Sequence, residues 1–385
     1  MKLLRKVSVI MAVLMALTSL PVNRAIALSD KEITAPSAIL MDARTGRVLY
    51  EKNSHEVRAC ASITKVMTLL LVMEAIDSGK LSLTDTITTS AHAASMGGSD
   101  IWLEPGETMT ADEMIKATIV ASANDAAVAL AEHISGTEEA FVEQMNSKAQ
   151  ELGMKETVFR NCNGLDEDGH VTSAYDVAVM SRELIKHEKI LEYSCIWMDE
   201  LRGGKTQLVN TNKLLKSYKG ITGLKTGTTS QAGSCISATA ERDGLSLIAV
   251  VLGSASGKER FSDAAKLLDY GFAGYSMYKP EVPEEAVTEL PVKNGMLDRV
   301  STAAQINSSL LIGKGEEKDI KPEIVLPSEL EAPVKKGAVV GQIIYKSGGK
   351  QIAEYPIAAA EDVKEINFKD VFGLLMCSVS GQASP

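Results

Sequence analysis

Hydrophobic positions along this chain change their period several times, and each change predicts an element. Ser37 to Tyr50 reads as a hairpin: an apolar strand through Ile39 and Leu40, a turn at Arg44-Thr45-Gly46, then Val48-Leu49-Tyr50. From Ser62 to Ile76 the chain is almost unbroken apolar and closes on Asp77-Ser78-Gly79, as a buried helix ending at a glycine does. Helical spacing continues through Ala111 to Ile134, Glu138 to Leu152 and Ala174 to His187. Strand-like runs, Ser234 to Ala240 and Leu245 to Leu252, then flank Arg242-Asp243-Gly244, a strong hairpin signal, before a last helix expected over Arg260 to Gly271. Strands on both sides of a block of helices describe an α/β (α+β) sheet whose first and last strands bracket a helical lobe.

The pattern then breaks. Lys279-Pro280-Glu281-Val282-Pro283-Glu284-Glu285 is rich in proline and charge and reads as a linker. Beyond it, valine- and isoleucine-rich runs at Ala338 to Tyr345 and Gln351 to Tyr355, separated by Gly348-Gly349, predict a small C-terminal all-β domain. The expected division is a main domain over 28–277, a β-rich domain over 286–361 and a tail over 362–385. In the tail, Val363, Ile366, Val371, Phe372, Leu374 and Leu375 fall roughly on one helical side, which suits peripheral membrane contact. Lys364 and Lys369 against Asp362, Glu365 and Asp370 provide no basic face, so a docked or frayed terminal helix is the alternative.

Length agrees with two domains, since 385 residues exceed what one core usually serves. Lys2, Arg5 and Lys6 precede the apolar run Val7 to Leu17 and the small-residue site Ala25-Ile26-Ala27, the plan of a secretory signal peptide over 1–27. The run is shorter than the roughly 20 apolar residues a membrane helix needs, so cleavage after about Ala27 and work outside the cytoplasm are expected. Losing that segment removes four bases and no acid, which turns 40 basic and 50 acidic residues into 36 and 50. So acidic an exported chain is a poor nucleic-acid binder. Cys60, Cys162, Cys195, Cys235 and Cys377 are odd in number and form no CxxC pair, and His55, His92, His133, His170 and His187 are scattered without an HExxH. Small buried thiols and no metal or organic cofactor are the expectation.

Candidate chemistry begins at Ser62-Ile63-Thr64-Lys65. Acyl transfer through a covalent intermediate needs a nucleophile, a base in hydrogen-bond reach and donors for the developing oxyanion. A helix beginning at Ser62 puts Lys65 on the same face one turn on, and the apolar neighbours Val66, Met67, Leu69, Leu70 and Leu71 would desolvate its amine. A lysine so placed is a usable general base, and the serine sits at the positive end of the helix dipole. SxxK alone carries little weight, because Ser276-Met277-Tyr278-Lys279 and Ser347-Gly348-Gly349-Lys350 match it too, as Lys346-Ser347-Gly348 imitates a KTG element. Those matches sit in a linker and a turn where nothing would bury the lysine. The ordered set Ser62-x-x-Lys65, Ser122-Ala123-Asn124 and Lys225-Thr226-Gly227 is more specific, each part falling where its chemistry needs it.

With these residues the chain resembles the low-molecular-mass penicillin-binding proteins that act as serine-type D-Ala-D-Ala carboxypeptidases. The resemblance covers nearly the whole mature chain, including Ala61 to Lys65, Asn161 to Tyr175, Gly223 to Thr229 with Ala232-Gly233, and the β-rich domain. It implies a penicillin-binding/β-lactamase-like transpeptidase fold and removal of the terminal D-Ala from peptidoglycan stem peptides ending in D-Ala-D-Ala, with β-lactams as covalent inhibitors. Residue by residue it implies that Ser62 attacks, Lys65 takes the proton, Ser122 relays a proton to the leaving amine, and Asn124 orients Lys65 and holds the substrate amide. It also implies an oxyanion hole from the N–H groups of Ser62 and Thr228. Lys225, Thr226 and Gly227, with Arg260 after the last core strand, would read the terminal carboxylate through charge-assisted hydrogen bonds.

Other readings are weaker. A class A β-lactamase would carry Ser-Asp-Asn and an ExxLN loop, but position 123 is Ala and no such loop follows. A silent wall-binding or β-lactam-sensing module would have lost Ser62, Lys65 or Lys225, and a Ser-His-Asp esterase would show GxSxG. Asn161 to His170 misses the calcium-loop spacing and reads as a structured turn. Trp102 and Trp197 read as packing or groove-lining residues with no catalytic role, more simply than as a carbohydrate platform.

Overall fold

The computed structural model describes residues 28–380; the signal-peptide reading falls on residues 1–27 and lies outside them. Two compact units are present, one ending at Gly274 and one beginning at Tyr275.

The first unit is built on a five-stranded sheet. Its strands are β1 (Ser37–Asp42), β2 (Val48–Lys52), β3 (Ile221–Thr229), β4 (Gly233–Arg242) and β5 (Leu245–Ser254), in the order β2-β1-β5-β4-β3. Chain ends thus meet in the middle, with Ile39 opposite Val250, and the helices are strung between β2 and β3 as the hydrophobic pattern predicted. The β4–β5 turn places Asp243 at φ 51° and Gly244 at φ 77°, the pair of positive angles that suits a tight two-residue hairpin. Lys225-Thr226-Gly227 lies within edge strand β3, opposite Ser237, Ile236 and Cys235.

Helix α1 (Lys65–Asp77) is the centre of the core: all of Lys65 to Met73 is buried. It is apolar on every side because it is surrounded, which is why the sequence showed a run rather than a stripe. Ser62 does not lie in an α-helix, contrary to expectation; a separate 3-10 turn, Ala61–Thr64, precedes α1. The spacing Ala111 to Ile134 also predicted one helix. It is instead α2 (Ala111–Lys116), a π-helical turn Ala117–Ala121, a break at Ser122-Ala123, and α3 (Asn124–Ser135). Both sides of the break are apolar, so periodicity could not reveal it, and wide π turns are frequent at functional sites. Helices α4 (Glu138–Glu151) and α5 (Ala174–Leu184) complete the set the pattern located, each with a side-chain N-cap, Thr137 and Ser173.

After β5, α6 (Gly257–Gly274) packs on the sheet so closely that a Cβ at Gly271 would lie 2.5 Å from a Leu247 methyl. Its buried Asp263 accepts hydrogen bonds from the N–H groups of Thr34 and Ala35, each 2.8 Å, and so ties down the start of the described chain.

The second unit contains a six-stranded sheet. Its strands are β6 (Glu289–Lys293), β7 (Arg299–Ala304), β8 (Ile320–Val325), β9 (Leu330–Glu331), β10 (Val339–Ser347) and β11 (Lys350–Ala359), in the order β8-β10-β11-β7-β6-β9. The tail differs from its expected form. Val363 is not on a helical face but is buried in the second unit's core and bridges to Val334; the helix, α7, runs over Phe368–Ser380.

Candidate active site

Residues preceding α1 position Ser62. Ala61 has φ 50°, a left-handed angle that costs a residue with a Cβ about 1 kcal/mol, and it turns the chain so that Ser62 stands half-buried at the head of the 3-10 turn. In a 3-10 turn side chains three apart eclipse, which aligns Ser62 with Lys65. The Lys65 amine lies 3.1 Å from Ser62 Oγ and donates to Asn124 Oδ1 at 2.5 Å and to the carbonyl of Asn163 at 2.6 Å. Lys65 is fully buried, and that burial drives its pKa from 10.5 down to about 7, with Cys162 and Asp125 pulling weakly upward. The decoy lysines Lys279 and Lys350 are exposed to solvent.

Ser122 forms the second group. At φ 65° and ψ 27° it is left-handed at the end of the π turn, a strained geometry for a residue with a Cβ. Its hydroxyl accepts a hydrogen bond from Lys225 Nζ at 2.8 Å, and Lys225 also donates to the Thr226 carbonyl at 2.9 Å. Lys225 is buried on β3; burial first, then repulsion from Lys65 and from Arg260, holds its pKa well below the lysine range. Mutual repulsion of the two amines places the Ser62 and Ser122 groups within one electrostatic neighbourhood. Thr226 Oγ1 and Thr211 Oγ1 are 2.7 Å apart, which fixes the Thr226 rotamer.

Gly227 faces Ser62. A Cβ there would lie 2.8 Å from the Ser62 nitrogen and 2.9 Å from the Cys60 carbonyl, so only glycine keeps β3 this close to the 3-10 turn. Next to it, Arg260 Nη1 donates to the Gly227 carbonyl at 2.9 Å and to Thr228 Oγ1 at 2.8 Å, while Arg260 Nε is buried without a partner among the described residues. All nine residues singled out in the sequence therefore gather where the Ser62 turn, the Ser122 break and β3 meet.

Sequence reading missed the wall behind Ser62 and Lys65. The loop after α4 supplies the Asn163 carbonyl to Lys65, and the Cys162 carbonyl accepts from Thr68 Oγ1 at 2.5 Å. Gly164, at φ 88°, presses on the same turn: a Cβ would meet the Ala61 carbonyl oxygen at 2.1 Å. Main-chain contacts leave no residue-type signature; the clustered glycines and asparagines of 161–170 were the one available hint. Gly164 N–H donates to Asn161 Oδ1 at 2.7 Å, so the segment is a structured turn, and no metal-ligand cluster occurs among the described residues. Trp102, 77% exposed, is not a packing residue; Trp197 is half-buried with Lys216 Nζ 5.0 Å from its ring.

The chain is similar to known proteins. Residues 24–256 match the family described as D-alanyl-D-alanine carboxypeptidase, and residues 275–365 match the one described as penicillin-binding protein 5, C-terminal domain. The chain is 46% identical to D-alanyl-D-alanine carboxypeptidase DacF of Bacillus subtilis over 338 residues, 87% of each chain. It is similar in structure to penicillin-binding protein 5 from Haemophilus influenzae, with a TM-score of 0.75 and 33% identity over 88% of this chain and 100% of that one. Penicillin-binding protein D2 from Listeria monocytogenes in its ampicillin-bound form gives 0.56 and 34%, covering 63% of this chain and 100% of the other. Both folds expected from the sequence, the penicillin-binding/β-lactamase-like one and the small all-β one, are thus present. With a buried lysine against a half-buried serine and a family match over more than half its length, the chain belongs to the D-alanyl-D-alanine carboxypeptidase family and is a serine-type carboxypeptidase of that family.

Proposed function

We propose that Ser62 is the nucleophile that attacks the carbonyl of the penultimate D-Ala in a peptidoglycan stem, with Lys65 as its base. The observation that carries this is the Lys65 amine, fully buried and 3.1 Å from Ser62 Oγ, with a pKa near 7. A neutral amine takes the serine proton as the ester bond forms. The tetrahedral oxyanion lies against the N–H groups of Ser62 and Thr228, with Gly227 keeping that space open. Ser122, hydrogen-bonded to Lys225, gives its hydroxyl proton to the departing D-Ala nitrogen and is reprotonated by the proton Lys65 took; water then hydrolyses the acyl-serine, its hydroxide going to the acyl carbon and its proton back to Ser62. Asn124 orients Lys65 and holds the substrate amide. Thr226, Lys225 and Arg260 bind the free carboxylate, a recognition that separates a carboxypeptidase from an endopeptidase.

In this reading residues 28–277 form the catalytic domain, 286–361 the β-rich domain, and the protein works outside the cytoplasm after loss of residues 1–27. β-Lactams acylate Ser62. Peripheral membrane contact is supported by α7, whose Phe368, Phe372 and Met376 are exposed, Phe368 by 83%. No described helix is long and apolar enough to cross a membrane.

The test is D-alanine release from diacetyl-Lys-D-Ala-D-Ala by the purified protein, with intact-mass detection of a penicillin adduct. Release and one adduct on Ser62, both lost in Ser62→Ala, are expected; covalent labelling that survives Ser62→Ala sinks the assignment.

A further inference from the structure

His170 and Thr64 take no part in the chemistry above, yet they form a directed chain that ends on the nucleophile's own peptide unit. The N–H of Arg160 donates to His170 Nδ1 at 3.0 Å. A ring nitrogen that accepts a hydrogen bond carries no proton, so the neutral tautomer has its hydrogen on Nε2. Nε2 lies 2.7 Å from Thr64 Oγ1 and donates to it. Thr64 Oγ1, its lone pair occupied, donates in turn to the carbonyl of Ala61 at 2.9 Å. Burial keeps the imidazole neutral, pushing its pKa down to about 4, so this direction holds throughout the neutral range.

The carbonyl at the end of the chain belongs to the planar unit that also contains the Ser62 N–H. Holding its oxygen fixes where its hydrogen points. The unit needs holding, because Ala61 is left-handed at φ 50° and a lone 3-10 turn has only weak internal bonds. Gly164 packs its backbone closely against the same oxygen, since a Cβ there would stand 2.1 Å from it.

We propose that His170 and Thr64 are positioning residues that aim the Ser62 N–H at the developing oxyanion. The proposal rests on the assignment of that N–H to the oxyanion hole. Deleting one oxyanion donor outright costs about 10²–10³ in rate, so misaiming one by losing the chain should cost about tenfold or more.

The experiment follows the ester carbonyl of the penicilloyl-enzyme by infrared difference spectroscopy with ¹³C-labelled benzylpenicillin, alongside acylation rates and urea midpoints. In the unmodified protein a carbonyl polarised by the hole absorbs at lower frequency than a model ester in water. Thr64→Val and His170→Phe should shift it upward and slow acylation about tenfold or more with little change in KM, while Thr64→Ser and His170→Gln, which keep the donors, restore both. If Thr64→Val folds poorly, the Thr64→Ser against His170→Phe comparison still decides. A red-shifted band unchanged in every variant overturns the positioning role; no red shift even in the unmodified protein overturns the oxyanion assignment beneath it. Loss of stability with an unmoved band means His170 and Thr64 are structural only, which also overturns the proposal.

Discussion

The buried amine of Lys65 makes the pH profile of acylation a direct test of its role. A lysine at its ordinary 10.5 would be neutral in only about one molecule in 3,000 at pH 7, whereas one near 7 is neutral in about half. If the neutral amine is the base, the second-order acylation rate is level above about pH 8. It falls about tenfold per unit below 7, to roughly 1% of the plateau at pH 5. Stopped-flow acylation with a chromogenic cephalosporin between pH 5 and 9 reads this, with His170 silent because its pKa is held near 4. The same burial acts on stability. Between about 7 and 10.5 the unfolded chain binds this proton and the folded chain does not, so the native state loses stability as pH falls through that window. The loss totals on the order of 4–5 kcal/mol and is complete below about 7. Urea midpoints from pH 7 to 10 should therefore slope less in Lys65→Met than in the unmodified protein. An acylation rate that changes less than about threefold from pH 8 to pH 5 would refute the argument that burial of Lys65 creates the base.

Three further outcomes follow from the geometry. Arg260→Gln should lower kcat/KM for peptides with a free C-terminal carboxylate by about 10- to 150-fold, the worth of a charge-assisted hydrogen bond of about 1.5–3 kcal/mol, while barely affecting a C-terminal amide. Ser122→Ala, which removes the acceptor 2.8 Å from Lys225 Nζ, should reduce kcat by about 10²–10⁴ in steady-state D-alanine release while KM moves little. Gly164→Ala forces a Cβ to 2.1 Å from the Ala61 oxygen at φ 88°; urea denaturation should show a loss of about 2 kcal/mol or more, and penicillin labelling should fall with it.

Much of the architecture could be read along the chain. The apolar runs of β1, β4, β5 and α1 are local facts, and local facts survive folding. Ser62, Lys65, Ser122, Asn124, Lys225, Thr226 and Gly227 were singled out by spacing and order, and the fold brings them together. Where the reading failed, one continuous pattern concealed a change of backbone state. Ala111 to Ile134 kept its helical spacing through the π turn and the left-handed Ser122, and Ser62 looked like an α-helix start although a 3-10 turn stands there.

What the sequence determined by itself is therefore which residues can react and in which elements they travel. Tertiary structure decided which SxxK lysine is desolvated: Lys65 lies within a core that strips its water and lowers its pKa, whereas Lys279 and Lys350 are exposed. It also brought Asn163, Gly164 and His170 from far along the chain to the Ser62 turn, where they act on Lys65, on the Ala61 carbonyl and on the Thr64 hydroxyl. Desolvation and backbone contact are properties of packed space, and no residue type or spacing encodes them before the chain has folded.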